Sequence, residues 1–268
     1  MKSSDMETIT IDLPAGKSVF FASDMHLGSG GGHLHTREKE KLLVRWLDGI
    51  RPECAALVLC GDVFDFWYEW KRVVPRGYVR ILAKIAEYVD DGIPVYYFSG
   101  NHDMWARDYF VQETGVRLFH DPREFRISGR RFFVGHGDGL GPKDRKFKMM
   151  KAVFKNRVAR WLFSHLLHPD FAVGIADYFS RRSRTATGRS ENTYLGDERE
   201  WLYLFCADTL KKEHYDYFVF GHRHLALDKT LPGGARYINL GDWLTFYTYG
   251  QWDGREFHLN TYPHDGLR

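Results

Sequence analysis

The residues of this chain best suited to chemistry stand at the ends of short apolar runs. Val19-Phe20-Phe21-Ala22 stops just before Asp24 and His26, and a glycine-rich stretch follows. Side chains two apart on extended backbone point the same way, so this carboxylate and imidazole face one spot. The arrangement recurs four times. 56-ALVLCGDVFD-65 ends in Gly61-Asp62, and 94-PVYYFSGNHD-103 ends in Gly100-Asn101-His102-Asp103. 131-RFFVGHGDG-139 ends in His136-Gly137-Asp138, and 216-DYFVFGHRH-224 ends in Gly221-His222-Arg223-His224. Capping needs explain one such residue at a strand end, but they explain poorly five ends that all finish in Asp, Asn or His. Asp24, His26, Asp62, Asn101, His136, His222 and His224 mix imidazole nitrogen with hard oxygen, which suits Mn, Fe or Zn better than Ca or Mg. Seven donors are too many for one tetrahedral ion and fit two divalent ions sharing a carboxylate, with manganese foremost. Two ions roughly 3.5–4 Å apart form a clamp for attack on phosphorus.

Such ends must be brought to one place. The apolar runs read as buried strands stopped by turn residues. Between the first three lie 36-TREKEKLLVRWLDGI-50 and 78-YVRILAKIAEYVDDG-92, with apolar residues at helical spacing and a glycine near each end. Strand–helix–strand alternation argues an α/β fold with parallel strands and right-handed crossovers. In an open sheet of that kind, ligands collect outside the carboxyl ends of the strands. Alternation alone therefore draws an open parallel sheet with all seven donors on one rim. Trp67, Tyr68 and Trp70, which follow Asp65, could line the pocket, with core packing as the default.

Bulk properties narrow the class. A chain of 268 residues with 44% hydrophobic and 27% charged side chains has ample material for a core, and we expect a single domain over 1–268. The start MKSSDMETITIDL lacks the basic and apolar regions of a signal peptide, and no apolar run reaches the roughly 18 residues of a spanning helix. Cys54, Cys60 and Cys206 form no C-x-x-C pair, so buried thiols in a reducing, cytoplasmic setting are expected. Charge is uneven. Between Lys143 and Arg189 twelve Lys/Arg face three acids, a surplus that the rest of the chain offsets to a total of +3.

The ordered set Asp24-x-His26, Gly61-Asp62-x-x-Asp65, Gly100-Asn101-His102-Asp103, His136-Gly137-Asp138 and Gly221-His222-x-His224 resembles the calcineurin-like metallophosphoesterase superfamily, over residues 18 to 242. The resemblance implies a metallophosphoesterase-type β-sandwich flanked by helices. It implies that Asp24, His26, Asp62 and His224 hold one metal, and that Asp62, as the bridge, holds a second with Asn101, His136 and His222. It also implies that His102 donates a proton or stabilises the transition state, oriented by Asp103. Within the superfamily the chain is similar to the UDP-2,3-diacylglucosamine pyrophosphatases of lipid A biosynthesis. It shares their compact size, the H-G-D-x-L-x-x-x-D pattern from His136 to Asp144, and a helical insertion at about residues 140–205. That similarity implies a lipid-linked nucleotide diphosphate substrate, with Asn101, His102, Asp144 and His222 against it. Many members carry Arg in place of His102 and Thr in place of Arg223, departures that bear on substrate rather than on chemistry.

The insertion adds its own signal. Phe147, Met150, Phe154, Val158, Trp161, Leu162 and Leu166 fall at three- and four-residue steps with basic residues mostly between them. Pro169 breaks the run, which resumes at 171-FAVGIADYF-179 before the basic 181-RRSR-184. One reading is a helical hairpin packed on the main domain. The other is a lid that takes acyl chains on its apolar face and rests peripherally on the anionic inner membrane surface. Basic residues interleaved with aromatics also fit a nuclease. Nucleic acid is the less favoured partner, because the patch is confined to the insertion and the pI of about 8.6 is only mildly basic.

Overall fold

The structure is a computed structural model and describes residues 7–29, 32–141, 156–175 and 193–263. The first sheet contains β2 (Ser18–Ala22), β3 (Cys54–Cys60), β4 (Val95–Phe98), β5 (Arg117–Phe119), β11 (Thr248–Trp252) and β12 (Phe257–Thr261). Its order is β12-β11-β2-β3-β4-β5, with β2 to β5 parallel and the other two joined antiparallel. The connections run through α1 (Gly32–Ile50), α2 (Val79–Asp90) and α3 (Asp108–Thr114). The second sheet contains β1 (Thr8–Ile11), β6 (Arg123–Ile127), β7 (Arg130–Val134), β8 (Tyr217–Phe220), β9 (Ala226–Thr230) and β10 (Arg236–Leu240). Its order is β1-β6-β7-β8-β10-β9, with β7, β8 and β10 parallel.

The two sheets form the helix-flanked sandwich that the resemblance implies, in place of the open sheet that alternation alone draws, and strand order gives the reason. Strands β2, β3, β4 and β5 follow one another in sequence, so right-handed crossovers place α1, α2 and α3 on one face only. The strands are apolar on both faces, and the uncovered face needs another partner. Period-2 alternation sorts their side chains. Phe20, Ala22, Leu57 and Leu59 pack beneath Leu43 and Trp46 of α1, Ile81 of α2 and Phe110 of α3. Val19, Phe21, Ala56, Val58 and Cys60 face Phe132, Val134, Val219 and Ile238 of the second sheet, which makes the sandwich core. The outer face of that sheet, with Phe133, Phe218 and Phe220, is covered by Leu202 and Cys206 of α5 (Trp201–Leu210).

Part of the insertion is visible. Helix α4 (Arg157–Leu166) is followed by a helical turn over 169–175. Phe163 anchors α4 on Tyr68 and Trp105, with ring centroids 4.9 and 6.1 Å away. Val158, Trp161, Leu162, Leu166 and Phe171 are instead exposed, so the apolar stripe read from the sequence does not face the core. Asp144, Met150, Phe154 and the 181–184 basic run lie outside the described residues. Among the described residues no helix is long and apolar enough to cross a membrane.

Candidate metal centre

The donors come from both sheets. Asp24 and His26 follow β2, Asp62 follows β3, and Asn101 and His102 follow β4; His136 follows β7, and His222 and His224 follow β8. Five of them have left-handed backbone: Asp24 at φ +55°, His26 at +45°, Asp62 at +53°, His222 at +68° and His224 at +45°. Such conformations cost about 1–3 kcal/mol per non-glycine residue and persist only where the surroundings over-determine them. Two glycines let the backbone come this close. A Cβ on Gly100 would lie 2.2 Å from Asp62 Oδ1, and one on Gly221 would lie 1.8 Å from Ser23 Oγ and 2.3 Å from Asp24 Oδ2.

Three groups of ligand-type atoms result: Asp24–His26–His224, His26–Asp62–His102 and Asp62–His136–His222, each with its atoms within 4.8 Å of one another. Asp62 Oδ1 accepts the His102 backbone N–H at 2.8 Å. Its Oδ2 lies 3.3 Å from His136 Nε2 and 3.8 Å from His26 Nε2, facing both sides of the cage. Asn101 Oδ1 lies 3.2 Å from His136 Nε2. All seven donors are thus drawn to one place.

Whether divalent ions fit can be tested on the outer nitrogens. His26 Nδ1 donates to Asp65 Oδ1 at 3.2 Å, His224 Nδ1 to Asp242 Oδ2 at 3.1 Å, and His136 Nδ1 to the Cys60 carbonyl at 2.8 Å. With the proton at Nδ1, each neutral ring presents an Nε2 lone pair inward. Two such lone pairs, on His26 and His224, are then 3.2 Å apart, and that of His136 meets carboxylate and carboxamide oxygens. Asp24 Oδ1, fully buried, has no hydrogen-bond partner. Acceptors converging on acceptors need cations among them, so these residues fit the group.

The electrostatics agree. Burial opposes charge on His26, but the nearby Asp24 carboxylate, the hydrogen bond to Asp65 and the Asp62 charge override it and raise its pKa to about 10. His136 is likewise raised to about 10, against burial, chiefly by the Asp62 carboxylate. Burial alone would raise the Asp24 pKa, yet His224 and His26 pull it down to about 2. His222 is pushed down to about 4 by burial and then by the charge on His136, which keeps that ring neutral. A cage that holds carboxylates ionised and draws protons onto imidazoles is one that calls for positive charge.

The expectation that Asp103 orients His102 is corrected. Asp103 Oδ1 accepts the Gly100 N–H at 2.6 Å, and Oδ2 accepts the Val63 N–H at 3.0 Å and the Tyr97 hydroxyl. This buried carboxyl, pushed up to about 6 by burial and the Asp62 charge, pins the loop between β4 and α3 to the end of β3. His102 Nδ1 donates instead to the Asp65 carbonyl at 2.8 Å. Asp65 therefore fixes two rings, His26 by its side chain and His102 by its backbone. Asp242, which sequence reasoning missed, orients His224 with Oδ2 and accepts the N–H groups of Leu244, Thr245 and Phe246 with Oδ1. Its signal was there: 237-YINLGD-242 repeats the apolar-run, Gly-Asp pattern.

Two cavities lie beside the insertion; none of the seven donors lines either, and the smaller reaches Asp65. One of about 310 Å³ lies between Asp65, Phe66, Trp70 and Tyr78 and the insertion residues Pro169 and Val173. A larger one of about 640 Å³ lies between Tyr68, Trp70, Arg107 and Trp161, and shares Trp70, Val73 and Val74 with the first. Trp67 is wholly core, as expected, whereas Trp70 lines both cavities and Tyr68 one.

The family model described as calcineurin-like phosphoesterase matches residues 17–226. A "UDP-2,3-diacylglucosamine hydrolase" of Porphyromonas gingivalis (strain ATCC BAA-308 / W83) is 36% identical over 255 residues, covering 91% of this chain and 97% of that protein. One of the same name from Shewanella baltica (strain OS223) is 25% identical, covering 84% and 89%. Among solved structures, a dimetal phosphatase from Danio rerio aligns over 93% of this chain and 100% of that one, with 13% identity and a TM-score of 0.42.

Proposed function

Because the chain belongs to the calcineurin-like phosphoesterase family, we propose that it is a binuclear-metal hydrolase cleaving the diphosphate of UDP-2,3-diacylglucosamine. Water adds across one P–O bond of the diphosphate, and the products are UMP and 2,3-diacylglucosamine 1-phosphate. The observation that carries the reading is the single carboxylate oxygen of Asp62, which faces His136 on one side and His26 on the other. Asp24, His26, Asp62 and His224 hold one ion; Asp62, Asn101, His136 and His222 hold the other, and manganese suits this donor set. When bound, the pair supplies charge neutralisation and water activation at phosphorus. His102, fixed through Nδ1, turns Nε2 to the reacting group as proton donor or transition-state stabiliser, though burial lowers its pKa and favours the neutral ring. Asn101 and His222 also bind substrate, as does Asp144, which lies outside the described residues.

The lipid half of the reading rests on the insertion, within a single catalytic domain. The two cavities between the insertion and the 68–78 segment receive acyl chains. The exposed Val158, Trp161, Leu162, Leu166 and Phe171, in a segment rich in Lys and Arg, rest peripherally on the cytoplasmic face of the inner membrane. The test is to incubate the Mn-loaded protein with UDP-2,3-diacylglucosamine and look for UMP, beside UDP-N-acetylglucosamine and single-stranded DNA. Rapid UMP release from the acylated substrate alone is expected. Equal rates on the two nucleotides, or a preference for DNA, would overturn the substrate and leave the metal chemistry.

A further inference from the structure

Arg223 stands between the two histidines of the β8 loop, in a position given no role so far. Its backbone N–H donates to the Gly221 carbonyl at 2.8 Å, closing a tight turn whose flanking residues, His222 and His224, are both left-handed. Its side chain reaches Glu200: Nε lies 3.3 and 3.2 Å from the two carboxylate oxygens and Nη2 lies 3.2 Å from Oε2. The pair is sequestered, with Glu200 1% exposed and Arg223 12% exposed. The Tyr237 hydroxyl donates to Glu200 Oε1 at 3.3 Å.

Glu200 occupies the N-cap position of α5, where the insertion rejoins the core, and its side chain makes no capping hydrogen bond there. The next residue, Trp201, sets its ring edge-on to His222, with centroids 5.7 Å apart. A Cβ on Gly141, where the chain leaves for the insertion, would lie 2.5 Å from Trp201 Cε3. Both ends of the insertion and the histidine loop thus meet at one point.

We propose that Glu200 and Arg223 form a positioning strut that locks the His222–His224 loop to the base of the insertion and presets both imidazoles for their ions. The inference rests on the metal function proposed above. Strained loops relax unless their surroundings hold them. The other ties bind this loop to its own neighbours: His222 N–H to Asp24, His224 Nδ1 to Asp242, and Asn239 Nδ2 to the Gly221 carbonyl. The Arg223 fork, with the Trp201–His222 ring contact beside it, ties the loop across to the base of the insertion. A lysine, with a point charge in place of a planar fork, cannot reproduce that geometry.

The variants are Glu200→Gln, Arg223→Lys and the double Glu200→Gln/Arg223→Met, which removes both charges and so leaves no buried ion unpaired. Lys229→Met is the control, since Lys229, on β9, holds Tyr194 and Asp197 of the same returning segment without a hydrogen bond to the histidine loop. Mn²⁺ affinity is read by chelator competition and metal content by elemental analysis, with circular dichroism to verify folding. The three strut variants should bind Mn²⁺ about 10–100-fold more weakly, the range for groups that orient ligands. Their kcat on bis(p-nitrophenyl) phosphate should return to the wild-type value at saturating Mn²⁺, and Lys229→Met should bind like wild type. A folded double variant within twofold of wild-type affinity would overturn the strut, as would equal weakening in Lys229→Met. A wild-type chain that holds no divalent ion would overturn the metal function itself, an outcome read before any variant is made.

Discussion

Replacing Asp62 by Asn removes one negative charge and almost no volume. The His102 N–H can still donate to the remaining carbonyl oxygen, so the loop should survive. What is lost is the negative charge on Oδ2, which lies 3.3 Å from His136 Nε2 and 3.8 Å from His26 Nε2 and so faces both donor groups. At an effective dielectric of about 20, a unit charge about 4 Å from a cation interacts by about 4 kcal/mol, about three decades in an equilibrium constant. Since one atom faces both sides, the loss is felt twice. Asp62→Asn should therefore bind both ions at least about a thousandfold more weakly, whereas His26→Ala should empty mainly one site. Metal content after gel filtration and chelator competition would measure this. Without metal, NMR titration should also show the His136 ring falling from about 10 toward the ordinary histidine range as the carboxylate is removed. Two tightly held ions and full activity in purified Asp62→Asn would refute the shared-carboxylate reasoning.

Three further outcomes are expected. His102→Ala should lose about 10²–10⁴-fold in kcat while keeping its metal content; loss of the metals along with activity would make His102 a ligand or a structural residue. Because His26 and His136 sit at about 10 without metal, loading at neutral pH must displace protons, so affinity should rise with pH toward that value; calorimetry in two buffers of different ionisation enthalpy would reveal the release, and its absence would contradict the protonated cage. At about 0.8 kcal/mol per buried CH₂, four methylenes are worth about 3 kcal/mol, so Trp161→Ser with Leu162→Ser should erase most of a more than about hundredfold preference for acylated substrate; cleavage of a nitrophenyl phosphate ester should be spared, and an unchanged preference would separate the insertion from acyl recognition.

The donors were legible because each apolar run stops abruptly at a glycine with Asp, Asn or His beside it, and strand ends are where chemistry collects. The sandwich was not legible from alternation. Phe20 and Phe21 are equally apolar, and nothing in their spacing says that one lies under helices and the other under a second sheet. Strand order decides that, and order is a long-range property. The hydrogen-bond partner of His102 was misread for a related reason. Adjacency makes Asp103 look like its orienter, but the tight turn after β4 sends that carboxyl back toward Gly100 and Val63, and Asp65 arrives from another strand. The insertion's period was legible, but the side it turns outward depends on where Phe163 finds aromatic partners.

The spread of the donors along the chain bears on how the protein is made. Asp24 emerges from the ribosome about two hundred residues before His224, and chains at that stage begin folding from the N-terminal side. The β2–β5 unit with its three helices can collapse early, bringing Asp24, His26, Asp62, Asn101 and His102 together. It still lacks His136, His222 and His224, which belong to the second sheet, and β11, which borders β2. A nascent chain therefore holds at most a partial set of donors for most of its synthesis. On the metal function proposed above, capture of both ions would be a late event, completed with the sandwich, and the metal centre would serve as a seal on correct assembly of the two sheets.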